Sequence, residues 1–374
     1  MKKFTFNKQF MVLMFLLLNC FASYAADENL IIKQITLKLT EAGTLPNKIA
    51  SSRKNLITNL KIIGEINGTD LRFIREMAGR DAEGNSTSGK LSVLDLSEAR
   101  IVEGGDYYYN SYQDTQYTHN DIIGECAFCN CDSLKNIKLP SSVTEIGDWA
   151  FKGCSSLTSV DIPSSVKRIG DWAFKDCSSL TSVDIPSSVK RIGMSAFESC
   201  SSLTSVDIPS SVTSIGSSAF VHCTSLTSVN IPSSVTKIEN SAFENCTSLT
   251  SVNIPSSVTR IGGKAFEGCK GLKSIYVFAE DVPTIGTGAF DGCDSKNCTV
   301  YVPKGTCDAY LVSEFGYFEN IVELDATSIH NTVATPKAQE TARYAVNGQR
   351  LTAPIKGINL VKYSNGTVKK EFVK

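Results

Sequence analysis

Hydrophobic residues recur along the middle of this chain with a fixed period of 23 residues. With Leu157 as position 1 of a unit, apolar residues stand at positions 1, 4, 6, 10, 13, 17, 18 and 21, and polar residues fill most positions between them. The position-18 phenylalanines show the period most clearly: Phe128, Phe151, Phe174, Phe197, Phe220, Phe243, Phe266 and, after one inserted residue, Phe290. Self-similarity at a period of about 20 to 50 residues is typical of repeat architectures.

The apolar positions inside one unit predict a short coil of extended segments. Val160 and Ile162 alternate with polar neighbours, which is the period of a half-buried strand. Pro163 cannot donate to a strand ladder and ends this strand. A second extended piece lies around Val166 and Ile169, and no unit carries a helical apolar period of useful length. One coil cannot bury its apolar side alone, so stacked coils are expected to form a solenoid with a continuous core.

The unit resembles a known class of leucine-rich repeat. The pattern L-x-x-V-x-I-P-x-x-V-x-x-I-G-x-x-A-F-x-x-C, read from Leu157 to Cys177, is similar to the 23-residue BspA-like (Treponema pallidum-type) repeat of secreted and surface proteins of Bacteroidetes and treponemes. It covers residues 121–303 and departs from the general leucine-rich pattern at Ser165, where Asn or Cys is usual. The resemblance implies a mainly β repeat solenoid with short strands and little helix. It also implies adhesion to host matrix proteins or to other cells.

Residues 26–120 are expected to form an N-terminal α/β cap with degenerate repeats. "ITNLKI" (57–62) and "LSVLDL" (91–96) keep the leucine spacing of the strand. Thr69-Asp70 predicts the start of a short helix through "LRFIREM", and Gly79 predicts its end. A separate N-terminal domain is the alternative, since terminal repeats and true domains both break the period.

The solenoid with its C-terminal cap is predicted for residues 121–324. "TVYVP" (299–303) repeats positions 3 to 7 of the unit. The segment that follows supplies four apolar residues for a helical cap over the last coil: Tyr310, Phe315, Phe318 and Ile321.

The C-terminal residues separate into a linker and a small β module. Residues 325–341 are rich in Ala and Thr, which predicts a linker. Residues 342–374 carry Asn347-Gly348 and Asn365-Gly366 between alternating runs, which predicts a small module of β hairpins. This module resembles C-terminal β modules of exported Bacteroidetes proteins, some of which act in sorting or attachment. A β appendage without such a role is the alternative.

The first 25 residues predict a signal peptide. Lys2 and Lys3 give a basic start, an apolar run extends from Phe10 to Phe21, and small residues lead to a cleavage site near Ala25. A lipoprotein anchor at Cys20 and a buried N-terminal element are the alternatives. The expected location is therefore extracytoplasmic, either at the cell surface or secreted.

Charge and motifs argue against several functions. The formal net charge is −1, which gives no electrostatic reason to expect nucleic acid as a partner. No stretch after the signal region reaches the ~20 apolar residues of a transmembrane helix. The three histidines, His119, His222 and His330, make no metal-ligand spacing. Nucleophile-elbow, zinc-protease and P-loop motifs are absent, so we expect no catalytic residues, no cofactor and no metal.

Two sets of residues whose type changes from one unit to the next are candidates for partner contact within the array. Asp161, Asp184 and Asp207 occupy position 5 of successive units, where stacked carboxylates favour a cation or a basic ligand. Solvated carboxylates are the alternative. Trp149 and Trp172 stack at position 16, where they predict contact with a protein or a sugar, or packing over adjacent Lys and Asp. The second candidate function is therefore a carbohydrate-binding surface protein.

The leading candidate contact is a tyrosine-rich loop at 104–121. Tyrosine offers a large contact area at low entropic cost, as in binding loops. The alternative is that the loop packs on the first coils as part of the cap. Its five tyrosines are Tyr107, Tyr108, Tyr109, Tyr112 and Tyr117.

One cysteine stands in each unit at position 21. Equivalent cysteines in a stack point the same way, and cysteine is readily buried, so we expect a column of free thiols inside the solenoid. Cys126, Cys129, Cys298 and Cys307 lie outside it and are better candidates for disulfides. The column comprises Cys131, Cys154, Cys177, Cys200, Cys223, Cys246, Cys269 and Cys293.

Overall fold

The computed structural model describes residues 30–111, 114–324, 340–345, 350–351, 353–354, 356–363 and 368–373. Before the array, the strands are β1 (Ile35–Lys38), β2 (Asn59–Ile66), β3 (Val93–Ile101), β4 (Gly104–Asn110), β5 (Thr115–Thr118) and β6 (Ile122–Ile123). The first strands of the coils are β7 (Asn136–Lys138), β9 (Ser159–Asp161), β11 (Ser182–Asp184), β13 (Ser205–Asp207), β15 (Ser228–Asn230), β17 (Ser251–Ile254), β19 (Ser274–Val277) and β21 (Thr299–Pro303). The second strands are β8 (Glu145–Ile146), β10 (Arg168–Ile169), β12 (Arg191–Ile192), β14 (Ser214–Ile215), β16 (Lys237–Ile238), β18 (Arg260–Ile261) and β20 (Thr284–Ile285).

Each coil contributes its two strands to two different parallel sheets. The first strands form a five-stranded sheet, β1-β2-β3-β7-β9, and a seven-stranded sheet, β11-β13-β15-β17-β19-β21-β22, where β22 is Asn320–Leu324. The second strands, with β6, form one eight-stranded sheet. Equivalent residues lie opposite one another, as Val183 lies opposite Val206. The mainly β solenoid with little helix expected from the repeat is therefore confirmed.

The turn after the second strand is tightly wound in every coil. Residues at positions 16 and 20 adopt left-handed backbone, for example Trp172 at φ 55° and Asp176 at φ 61°. Turns of neighbouring coils are joined by backbone hydrogen bonds, such as that from the Phe174 amide to the Ala196 carbonyl at 2.8 Å. This winding turns each position-18 phenylalanine inward. The eight rings stack with centroids 5.1 to 5.6 Å apart and form the centre of the core.

The N-terminal region is continuous with the array, because β1, β2 and β3 share a sheet with β7 and β9. Its helices are α1 (Leu45–Lys48), α2 (Ser51–Lys54) and α3 (Gly68–Met77). The prediction that Thr69-Asp70 starts α3 is wrong by two residues, because Asn67 is the N-cap and Asp70 closes a capping box with it. Asp70 also accepts a hydrogen bond from the Leu45 amide at 2.8 Å, which ties α1 to α3.

The C-terminal cap is helical only in its first half. Helix α4 (Cys307–Leu311) and a 3-10 turn (Glu314–Tyr317) place Tyr310, Phe315 and Phe318 against the last coil, where all three are buried. Ile321 lies in β22, which pairs in parallel with β21, so the prediction of a helix at Ile321 is wrong. The open edge of β21 offers unpaired backbone groups, and a strand satisfies them where a helix cannot.

The last described residues form an antiparallel sheet. Its strands are β23 (Glu340–Ala345), β24 (Arg350–Leu351), β25 (Gly357–Tyr363) and β26 (Val368–Val373), in the order β24-β23-β25-β26. The two Asn-Gly pairs, most of the predicted linker, the predicted signal peptide and Tyr112 lie outside the described residues. Within the described ranges, no helix is both long and apolar enough to cross a membrane.

Candidate functional site

Position 5 forms an outward-facing row across the two first-strand sheets, which we call the position-5 row. In the array, Lys138 lies opposite Asp161, and Asp184 lies opposite Asp207, and all four side chains are exposed. The row has a different chemistry at each end. In order along the solenoid, it consists of Lys61, Asp95, Lys138, Asp161, Asp184, Asp207, Asn230, Asn253, Tyr276 and Tyr301.

A shallow depression interrupts the row where the two first-strand sheets meet. Strand β9 ends the five-stranded sheet and β11 begins the seven-stranded one, with no strand pairing between them. The depression measures about 270 Å³, and Val160 lies among its polar lining. The polar residues that line it are Asn136, Lys138, Ser159, Asp161, Ser182 and Asp184. Its mix of one ammonium and two carboxylates suits a charged side chain of a partner, above all Lys or Arg.

The acidic part of the row is electrostatically strained. The pKa of Asp207 is raised, first because neighbouring strands desolvate its carboxyl group and second because Asp184 lies beside it. A bound cation or basic side chain would relieve this repulsion, since an opposite charge within a few ångströms favours the ionised carboxylate. The three aspartates predicted as a contact therefore lie together on one exposed face.

The two array tryptophans form a separate stacked pair. The indole rings of Trp149 and Trp172 have centroids 5.0 Å apart and planes at 8° to each other, and both residues are half-buried. An aspartate precedes each tryptophan in the chain. Asp171, which precedes Trp172, forms an ion pair with Arg191 at 3.3 Å. Position 16 lies about half a coil from position 5 along the chain, so the tryptophans and aspartates form two separate candidate sites.

The tyrosine-rich loop is a hairpin of β4 and β5 that packs on α3, and part of it faces the core of the cap. Tyr108 is fully buried and its hydroxyl donates to the Glu125 carbonyl at 2.9 Å, so its assignment as a partner contact is wrong. Tyr109 is half-buried, and its ring lies 5.0 Å from the Arg75 guanidinium. These inward contacts anchor the hairpin to the cap.

The outer part of the hairpin remains accessible to a partner. Tyr107 is half-buried under the Arg72 guanidinium, 4.6 Å from its ring centre, and its hydroxyl donates to Glu83 at 3.0 Å. Tyr117 is 49% exposed.

The column cysteines are buried one above another beside the phenylalanines. From the second unit onward, each thiol donates a hydrogen bond to the carbonyl oxygen of the phenylalanine in the preceding coil, at S···O distances of 2.9 to 3.3 Å. Burial raises the pKa of these thiols, to about 12 for Cys131, Cys223 and Cys293. They are therefore neutral and unreactive at physiological pH.

Cys126, Cys129, Cys298 and Cys307, the cysteines favoured as disulfide partners by the sequence, also carry free thiols. Arg75 is a residue that sequence reasoning missed, since it is fully buried in the cap and contacts Cys129. The one feature of the sequence that indicated the burial of Arg75 was its position in the apolar run of α3. Among the described residues, no group of three or more His, Cys, Asp or Glu is placed to hold a metal ion.

A family model described as the BspA type leucine rich repeat region matches this chain in six copies, over residues 106–220, 190–310 and 236–335. Together these segments span more than half of the 374 residues. No curated protein matches the chain.

Solved structures of bacterial repeat proteins are also similar. The T. pallidum leucine rich repeat protein TpLRR is 36% identical over 41% of this chain and 72% of that one, with a TM-score of 0.38. A leucine-rich repeat protein from Bacteroides ovatus is 25% identical over 57% and 67% of the two chains, with a TM-score of 0.41. A leucine rich cell surface protein from Faecalibacterium prausnitzii is 25% identical over 63% and 90%, with a TM-score of 0.39.

Proposed function

Because the chain belongs to the BspA-type leucine-rich repeat family, we propose that it is a non-enzymatic interaction protein that acts outside the cytoplasm. It binds host matrix proteins or other cells through its repeat surface, at the cell surface or after secretion. The observation that carries this proposal is the position-5 row, an outward-facing line of side chains on ten strands with one break between β9 and β11.

The dimensions of the row suit a protein partner. Strands about 4.8 Å apart make a line of ten side chains roughly 40 Å long. A stable protein interface buries about 800 Å² on each partner. The face therefore offers enough length for one such interface, whereas a single small ligand would use only a fraction of it.

The chemistry of the row favours a partner with a basic patch. The exposed aspartates Asp161, Asp184 and Asp207 attract positive charge, which raises the association rate and orients the partner. At the other end, Tyr276 and Tyr301 stack with ring centroids 4.6 Å apart and both are half-buried. Stacked tyrosines are frequent anchors of protein interfaces.

The test is binding of the purified full chain to a panel of host matrix proteins and intact cells, measured by surface plasmon resonance and cell attachment. Asp184→Asn with Asp207→Asn is expected to weaken binding at least tenfold, mainly through a slower association rate at low salt. The matched control is Glu319→Gln, which removes an exposed carboxylate outside the row. No binding across the panel, or equal loss in the control, would rule out the proposed surface.

Carbohydrate binding is a second candidate, favoured by the stacked pair of Trp149 and Trp172. Aromatic faces give a polar sugar an apolar platform. A glycan array with Trp149→Ala and Trp172→Ala variants separates the two candidates, because glycan binding would be lost in these variants and kept in the aspartate variants.

A further inference from the structure

Arg75 of α3 is a buried cation without an acidic partner among the described residues. It is fully buried, and none of the ion pairs in the described part of the chain includes it. Its Nη1 donates to the carbonyl oxygens of Cys126 at 2.6 Å and Ala127 at 3.1 Å, and Nη2 donates to that of Asp81 at 3.2 Å. Burial of a charge without a counter-charge is costly. The site therefore calls for an anion that is not a carboxylate.

Cys129 is in position to be that anion. Its sulfur lies 3.9 Å from both Nη1 and Nη2 of Arg75. The pKa of Cys129 is lowered, first by a hydrogen bond from the Cys126 thiol and then by the charge of Arg75, with a further hydrogen bond from the Tyr109 hydroxyl. The pKa of Cys126 is raised by the same hydrogen bond and by burial. One thiolate on this pair would balance the guanidinium.

The pair also has the backbone geometry of a cross-linkable turn. The amide of Cys129 donates to the carbonyl oxygen of Cys126 at 3.1 Å, which closes a turn of four residues. The Cα atoms at the two ends of such a turn lie less than about 7 Å apart. Disulfides usually span Cα separations of about 4.4 to 6.8 Å. The column cysteines from Cys154 onward differ, because each is neutral and directs its thiol to a phenylalanine carbonyl.

We propose that Cys126 and Cys129 are a redox-active thiol pair at the junction of cap and array, in which Cys129 is the nucleophile and Arg75 holds its thiolate. The oxidant is a low-molecular-weight disulfide, because Cys129 is 3% exposed and Cys126 is 9% exposed, which leaves no room for a folded protein substrate.

The exchange proceeds in two balanced steps. The Cys129 thiolate attacks one sulfur of the small disulfide, the S–S bond breaks, and one small thiolate leaves with the electron pair. The Cys126 thiol then gives its proton to that small thiolate and attacks the Cys129 sulfur, which forms the Cys126–Cys129 disulfide and releases the second small group as a thiolate. Overall, one protein thiolate and one protein thiol are oxidised to a disulfide, and the small disulfide is reduced to one thiol and one thiolate.

The surroundings of the pair favour its reduced form. Oxidation removes the thiolate and leaves the Arg75 cation without a counter-charge. Stabilisation of the reduced form makes a dithiol couple more oxidising. The other titratable groups that act on the pair include Glu125, Tyr108, Tyr109 and Cys131. Glu125 acts on Cys126 rather than on Cys129.

The first test equilibrates the folded full chain with mixtures of reduced and oxidised glutathione at pH 7, followed by acid quenching and mass-spectrometric mapping without reduction. A Cys126–Cys129 disulfide is expected, with the column cysteines still reduced. Cys126→Ser is expected to trap a mixed disulfide of Cys129 with glutathione, and Cys129→Ser is expected to trap none. A pair that stays reduced in fully oxidising mixtures, or that traps glutathione on Cys126 instead, would overturn the proposal.

The second test concerns Arg75 as a positioning residue. Arg75→Met is expected to shift the thiol–disulfide equilibrium toward the protein disulfide by about tenfold, the equivalent of one pKa unit of lost thiolate stabilisation. Arg75→Lys, which keeps the charge, is expected to stay close to the unmodified chain. An unchanged equilibrium in a folded Arg75→Met protein contradicts the assignment of Arg75. If Arg75→Met does not fold, the proposal is tested by the thiol–disulfide equilibrium of Arg75→Lys and by glutathione trapping in the two serine variants.

Discussion

The thiol of Cys177 donates a hydrogen bond to the carbonyl oxygen of Phe151, 26 residues earlier, at 3.2 Å. The same bond recurs from every other column cysteine except Cys131, which has no phenylalanine coil before it. Each of these thiols gives the buried phenylalanine carbonyl a second hydrogen bond beside that from a backbone amide, while its sulfur fills the core beside the phenyl rings. The column packs neighbouring coils against each other. The cysteine of each unit therefore has a structural role that requires no reactive thiol.

Removal of one column thiol should destabilise the array. Cys200→Ala removes one of the two hydrogen bonds that the Phe174 carbonyl accepts, the other coming from the Cys177 amide, and opens a small cavity, at a cost of about 1–2 kcal/mol. The free energy of unfolding, from urea titration followed by circular dichroism, measures this loss. Cys307→Ala is the matched control, since Cys307 is half-buried outside the column and should change stability by less than about 0.5 kcal/mol. Equal effects in both variants would contradict the structural role.

Alkaline pH should weaken the solenoid through the same thiols. Burial raises the pKa of Cys223 and Cys293 to about 12, whereas an unfolded thiol titrates near 8.5. The folded chain then binds more protons than the unfolded chain, so the contribution is complete below about pH 8.5 and is lost progressively up to about pH 12. Each thiol accounts for about 1.4 kcal/mol per pH unit in this window. Urea midpoints between pH 8 and 11 test this, and Cys223→Ala should flatten the slope.

Glycine at a left-handed position should stabilise one coil. Ser218 adopts φ 58°, a conformation that costs residues with a Cβ atom about 1 kcal/mol relative to glycine. Ser218→Gly is therefore expected to raise the urea midpoint. Ser217→Gly, at the neighbouring position with ordinary backbone, should lower it because glycine loses more entropy on folding. The same sign of change in both variants would show that the left-handed turn is not strained.

The C-terminal cap should depend on one buried hydroxyl. The Tyr310 hydroxyl donates to the Ala279 carbonyl at 2.7 Å inside the core, so Tyr310→Phe leaves that carbonyl without its partner and should cost about 1–3 kcal/mol. Tyr317 makes a similar bond to the Cys293 carbonyl at 2.9 Å but is 42% exposed. Water can replace its hydroxyl, so Tyr317→Phe should cost less in thermal unfolding. A larger loss for Tyr317→Phe would contradict this view of the cap.

The sequence by itself determined the solenoid. The strand pairs and the stacked phenylalanines of the array join residues to their equivalents one period away, so one unit such as 157–179 already specifies which side chains face inward. The inward turn of Phe174, the burial of Cys177 and the outward direction of Asp161 all follow from the pattern. Repetition makes the tertiary neighbour predictable, because it is another copy of the same residue.

The ends of the array were decided by the tertiary structure. Tyr108 and Tyr117 have the same residue type and lie in one loop, yet one is buried and the other exposed, because Tyr108 packs against Gly124 and Glu125 of the first coil. Ile321 extends a sheet because the open edge of β21 needs a partner. The Arg75 guanidinium meets Cys129 across 54 residues of non-repeating chain. No local period relates such residues, and only the packing of the cap on the first coil brings the buried charge and the thiol together.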